Sequence, residues 1–188
     1  WAAISSGDVF LPYYTNLLRI ATLFGCRTQE ARLSEWGEWD MEAWVWTVPK
    51  AHSKGGEKIV RPVPEAMRSF IEMLHDETKS SGYLLGVVKN SEAVSQWGRS
   101  VYKKLGHSEP WTLHDLRRTL ATHMNNMGIA PHVVEQLLGH SMPGVMAIYN
   151  RSLYLPEKLD ALNKWYERLE LLAGNHQNVV LLPVANRD

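Results

Sequence analysis

Thr112-Leu-His-Asp-Leu-Arg-Arg-Thr119 is the stretch from which the rest of the chain can be read. Thr112 followed three residues later by Asp115 is a capping-box pattern, so a helix is expected to begin near Leu113. His114 then sits in the first turn, and Arg117, three residues on, shares its face. Both side chains project beside the positive end of the helix dipole, where an anionic phosphate is stabilised. A histidine and an arginine three apart also occur by chance on many solvated helices. The pair gains meaning only from what surrounds it.

Outward from it lie three further pieces. Gly25-Cys-Arg-Thr-Gln-Glu30 precedes it, and Leu137-Leu-Gly-His140 follows, with Tyr149 nine residues beyond His140. Each has an ordinary reading. Arg27 could pair with Glu30 across one helical turn. Gly139 could be no more than a left-handed helix cap. Tyr149, among Val145, Met146 and Ile148, could be a packed core tyrosine. Together, however, two arginines, two histidines and a tyrosine are the parts needed to break a phosphodiester without a metal. The guanidinium fork holds two oxygens, the imidazoles donate further bonds, and a phenolic oxygen can attack phosphorus.

Composition bounds the reading without suggesting it. A length of 188 residues favours one globular domain, and a 45% hydrophobic share with eight tryptophans argues against disorder. Net charge is zero, so a surface for nucleic acid must come from local clustering of Lys and Arg. The single cysteine, Cys26, cannot form an internal disulfide, and it reads as a small packing residue. No apolar run reaches a membrane-spanning length and no signal peptide is visible, so a cytoplasmic protein is expected. From the start at Trp1, almost directly before a helix, a fragment of a longer protein is expected.

The expected architecture is mainly α with a small antiparallel β-sheet. Tyr14, Leu17, Leu18, Ala21 and Phe24 recur at helical spacing from Pro12 to Phe24, before Gly25. Trp44, Trp46 and Val48 alternate as in a half-buried strand, and Ile59, Arg61 and Val63 alternate on its hairpin partner. Lys50 to Lys58, with Gly55 and Gly56, is the turn between them. Helices are then expected over Glu65 to Thr78, Ser91 to Leu105, Leu113 to Met127, Ala130 to Leu138, Val145 to Arg151 and Pro156 to Leu172. Residues 1–174 are expected to form one domain, the catalytic one. In the tail, 175–188, the run Val179 to Leu182 has strand character, and Pro183 confines it to an edge.

In order, wording and spacing, these constellations resemble the catalytic domain of tyrosine recombinases, the phage integrase family, and most of all the integrases of satellite phages and genomic islands. The resemblance implies the fold that breaks and rejoins DNA, and a metal-independent reaction with no cofactor. Tyr149 is then the nucleophile that forms a 3′-phosphotyrosyl link. Arg27, His114, Arg117 and His140 hold the phosphate. A lysine on the hairpin turn protonates the leaving oxygen. Lys54 matches best, but the turn is about two residues longer than the family pattern, so Lys50 and Lys58 stay open. Lys50, Lys58, Arg61 and Arg118 are expected on the DNA backbone, and Glu30 as a supporting residue. The resemblance also implies double-stranded DNA as partner, a homotetramer on paired attachment sites, and a tail that docks on a neighbour. A host DNA-bending protein and an excision factor are further candidate partners of a full-length protein. Two other readings share the chemistry: a type IB topoisomerase that nicks and reseals, and a catalytically silent DNA-binding relative.

Overall fold

A computed structural model of the chain describes residues 1, 9–140 and 152–174. The first long helix, α1 (Pro12–Phe24), starts with proline at a position where no amide donor is required and ends on Gly25, left-handed at φ 58°. It runs through the middle of the core, with Leu17, Leu18, Ile20 and Phe24 fully buried. A short helix, α2 (Thr28–Leu33), follows at once, with Arg27 as its extended N-terminal cap.

Three short strands come next, β1 (Trp39–Asp40), β2 (Val45–Val48) and β3 (Ile59–Pro62), antiparallel in the order β1-β2-β3. Trp46 lies opposite Arg61 and Val48 opposite Ile59. Trp39 stacks on Trp46 across the first pair at 4.8 Å between ring centroids. The remaining elements are helical: α3 (Glu65–Thr78), α4 (Ser91–Gly98), α5 (Val101–Lys104), α6 (Leu113–Asn126), α7 (Pro131–Leu138) and α8 (Leu155–Leu172). α8 packs against α1, α6, α7 and β3, and its Trp165 donates to the Thr22 carbonyl of α1 at 2.9 Å. No helix among the described residues is long and apolar enough to cross a membrane.

The helix-rich architecture with one small antiparallel sheet is as expected, and three local departures have physical causes. The helix expected from Ser91 to Leu105 breaks after Gly98. The Ser100 hydroxyl donates to the Trp97 carbonyl at 2.7 Å, an alternative to the helical ladder. Gly98 also seats Leu113, whose Cγ would lie 2.9 Å from any Cβ there. In β3 the expected alternation is absent, because α7 and α8 both pack on it and all four residues are buried. Trp44 lies outside its strand at φ 54°, on the reversal where the Asp40 carboxylate accepts from the Glu42 and Ala43 amides. The helix expected over Val145 to Arg151 and the strand expected in the tail fall outside the described residues.

Candidate active site

The helix α6 opens as its first residues dictate. The Asp115 carboxylate accepts from both the backbone amide and the hydroxyl of Thr112 at 2.8 Å, closing the first turn. That leaves His114 exposed at the helix start and turns Arg117 inward, where it is 3% exposed. Arg117 Nη1 donates to the Gly25 carbonyl at 3.0 Å, and Nη2 donates to the Leu138 carbonyl at 2.6 Å. Nη2 also lies 2.7 Å from His140 Nε2. Arg117 therefore joins the end of α1, the end of α7 and His140. Burial, with Arg27 nearby, lowers its pKa to about 10, so it stays cationic at neutral pH.

His140 follows Gly139, the left-handed cap of α7 at φ 67°. Its Nδ1 contacts the Glu135 carboxylate. A carboxylate can only accept, so Nδ1 carries the proton and Nε2 presents its lone pair to Arg117. Glu135 was not among the expected site residues, and the signal for it was slight: an acid five positions before the histidine, in the last turn of α7. His114 has its pKa lowered, first by burial and then by the Arg118 and Arg117 cations, which favours a neutral imidazole.

Arg27 enters from the α1–α2 corner. Its Nη1 lies 3.4 Å from Glu30 Oε1, while Glu30 Oε2 accepts from Arg61 Nη2 at 2.6 Å. Glu30, expected as a supporting residue, is fully buried. Arg61 is the correction among the expected DNA contacts. It is 0% exposed, stacked over Trp46 at 5.0 Å, with Nε donating to the Leu137 carbonyl at 2.8 Å. A side chain with no exposed surface cannot meet a DNA backbone. Cys26 is buried, and burial pushes its thiol up to about 12, so it is inert packing.

Of the three candidate lysines, Lys54 lines the same cleft as Arg27 and His114, a space of about 410 Å³ also bordered by Ser91 and Ser95. Lys50 pairs instead with Glu57 across the turn at 3.7 Å, both well exposed, and Lys58 is exposed. Arg118 is exposed and paired with Asp115 at 3.0 Å. Tyr149 lies outside the described residues. Ser152, three residues later, is tied to α7 by Gln136 Nε2, which donates to its carbonyl at 3.2 Å.

The arrangement brings Arg27, Lys54, His114, Arg117 and His140 from four separate parts of the chain to one side of the core. A family model described as the phage integrase family matches residues 11–155. The chain belongs to the phage integrase family. Among curated members, the integrase of Shigella phage Sf6 is 25% identical over 172 residues, covering 89% of this chain and 44% of that protein. Prophage integrase IntF of Escherichia coli K12 is 24% identical over 179 residues, covering 90% and 36%. Tyrosine recombinase XerA of Pyrococcus furiosus is 31% identical over 124 residues, covering 58% and 41%. The chain thus spans less than half the length of these members. Solved structures share the fold. The integrase of mycobacterium phage Brujita has a TM-score of 0.63 at 15% identity, covering 83% of this chain and 52% of that one. The Tn1549 transposon integrase, solved in complex with circular intermediate DNA, has a TM-score of 0.53 at 19% identity, covering 69% and 51%.

Proposed function

We propose that this chain is the catalytic domain of a site-specific DNA recombinase that integrates or excises a mobile element. The observation that carries the proposal is the convergence of Arg27, Lys54 and His114 on one cleft, with Arg117 and His140 bonded to each other beside it. In this reading Tyr149 attacks the scissile phosphorus. The Tyr149–phosphorus bond forms as the bond to the 5′ oxygen breaks, and Lys54 delivers the proton that oxygen needs. Arg27 and Arg117 bear the charge that develops on the non-bridging oxygens. The Arg117 contacts to Gly25, Leu138 and His140 engage three of its five N–H groups, leaving two for a phosphate. His114, held toward its neutral form, is suited to take the phenolic proton. The freed 5′ hydroxyl later attacks the partner strand's phosphotyrosine, so bond energy is retained and no nucleotide cofactor is required.

Tyr149 is the nucleophile of this proposal on the family pattern, as the tyrosine nine residues after His140. Tyr154 is a weaker candidate. Its ring lies 4.8 Å from that of His132, at the opposite end of α7, roughly 12 Å from His140 along the axis. The DNA partner is proposed by analogy with the DNA-bound Tn1549 integrase. Four protomers on two duplexes, tail docking by residues 175–188, accessory bending and excision factors, and a cytoplasmic setting belong to the same proposal.

Offering the protein supercoiled plasmid and, separately, paired attachment sites tests the reaction class. Strand exchange between the sites is expected. Relaxation of the plasmid without exchange would show a topoisomerase, and binding without cleavage a silent relative.

A further inference from the structure

Two side-chain ion pairs of unequal weight touch the turn between β2 and β3. Across the turn Lys50 and Glu57 pair at 3.7 Å with both side chains 69% exposed, a contact of little energetic weight. Toward the core His52 Nδ1 meets the Glu38 carboxylate, and both side chains are largely covered, 19% and 8% exposed. Glu38 is itself rigidly held. Its Oε2 accepts from Trp46 Nε1 at 3.1 Å and from the Ser34 hydroxyl at 3.0 Å, and that hydroxyl accepts from Trp39 Nε1 at 2.9 Å. The imidazole is thus bonded to a carboxylate fixed by two core tryptophans. The backbone continues the constraint. The amides of His52 and Ser53 donate to the Pro49 carbonyl at 3.0 and 3.2 Å, Ser53 is buried, and the Gly56 amide donates back to the Ser53 carbonyl at 3.2 Å. Lys54 is the next residue, exposed and lining the cleft with Arg27 and His114.

We propose that His52, hydrogen-bonded to the largely covered Glu38 carboxylate, is a positioning residue that holds the turn so that Lys54 stays in the cleft beside Arg27 and His114. The inference rests on Lys54 being the proton donor to the leaving oxygen. A lysine carries four rotatable bonds and one charge, so nothing in its own side chain fixes where its proton is delivered. Fixing the backbone two residues upstream shortens the search. Because Nδ1 must donate to the carboxylate, the anchor needs a donor at that atom. An asparagine supplies one, its amide nitrogen standing where Nδ1 stands.

The test compares cleavage of two nicked duplexes that carry the junction of the encoding element with its flanking DNA. One has an ordinary phosphodiester and the other a 5′-phosphorothiolate, whose sulfur leaves without a proton. His52→Ala is expected to slow cleavage of the ordinary duplex by about tenfold or more, and to leave the phosphorothiolate rate within about twofold of wild type. His52→Asn is expected to restore the ordinary rate to within about threefold. Should His52→Ala fail to fold, His52→Gln, whose amide is carried one methylene too far, takes its place. Equal slowing on both duplexes would mean a general structural role, and no slowing on the ordinary one would mean no role. Either result overturns the anchor. Lys54→Ala on the same duplexes separates the two levels. If it is rescued by sulfur and His52→Ala is not, the anchor falls and Lys54 remains the acid. If Lys54→Ala is itself not rescued, the assignment of Lys54 is wrong and the anchor falls with it.

Discussion

Arg117 illustrates why a single side chain cannot be exchanged on charge alone. It holds two backbone carbonyls and a histidine from a buried position, a load that needs several fixed N–H groups in one plane. A lysine there would keep the charge, leave acceptors unpaired and lose the fork. Arg117→Lys is therefore expected to lower covalent adduct formation by about a hundredfold or more. Near-normal adduct would remove Arg117 from the site. The nucleophile is tested the same way on a nicked suicide duplex. Tyr149→Phe is expected to abolish the adduct and Tyr154→Phe to spare it, and an adduct mapped to Tyr154 in the wild-type chain would reverse the assignment.

At the scale of elements, the end of α7 is the most sharply specified join in the described structure. Gly139 is left-handed, and a Cβ there would stand 2.1 Å from Ile59 Cδ1 and 2.6 Å from Cγ1, on β3. Only glycine lets the α7 terminus approach the sheet closely enough to set His140 against Arg117. Gly139→Ala combines a positive-φ penalty with overpacking and should destabilise the fold by about 2–3 kcal/mol. Adding Ile59→Val, which removes Cδ1, should return part of that loss, so the double variant would be less destabilised than the sum of the two. Additive losses in urea denaturation would mean the contact is not the cause. The capping box of α6, read from Thr112 and Asp115, is a local motif and could be recognised without any tertiary knowledge. The break between α4 and α5 could not, since it depends on Leu113 filling the space beside Gly98.

Across the whole molecule, Lys158 fastens the last described helix to the sheet. It is 2% exposed, donates to the Val60 carbonyl at 3.0 Å, and burial followed by the neighbouring Arg61 lowers its pKa to about 8. The folded state thus binds this proton more weakly than the unfolded chain, where the ordinary value is 10.5. The cost of the buried charge is fully present below pH 8 and is relieved as pH rises toward 10.5. Relative to Lys158→Met, the wild-type chain should gain stability over that window by at most about 3 kcal/mol. A difference that stays flat with pH would show that Lys158 is not desolvated. The tail offers a prediction at the same scale. Truncation after Gly174 should leave the monomer's melting temperature nearly unchanged and weaken multimer formation on DNA; a large loss of monomer stability with unaltered assembly would refute trans docking.

What the sequence by itself determined was everything with a local period or a local motif. The amphipathic helices from Pro12, Glu65 and Leu113 follow from their apolar spacing. The hairpin follows from alternation in Trp44 to Val48, and the candidate site residues follow from three short motifs. Only the tertiary structure decided what burial did to the charged groups. Arg61 shares a strand face with the apolar Ile59 and Val63, and only the fold shows what receives its charge there: Glu30, 31 positions earlier, and the Leu137 carbonyl, 76 positions later, enclose it. Glu30 is for the same reason a buried bridge between Arg27 and Arg61. The tertiary structure likewise set Lys54, of three lysines in one turn, beside Arg27 and His114, because a cleft has walls from distant segments. It also supplied Glu38 beneath His52 and Glu135 beneath His140. A one-dimensional pattern carries spacing along the chain, whereas the solvation and the partner of a charge are set by whatever distant elements fold over it.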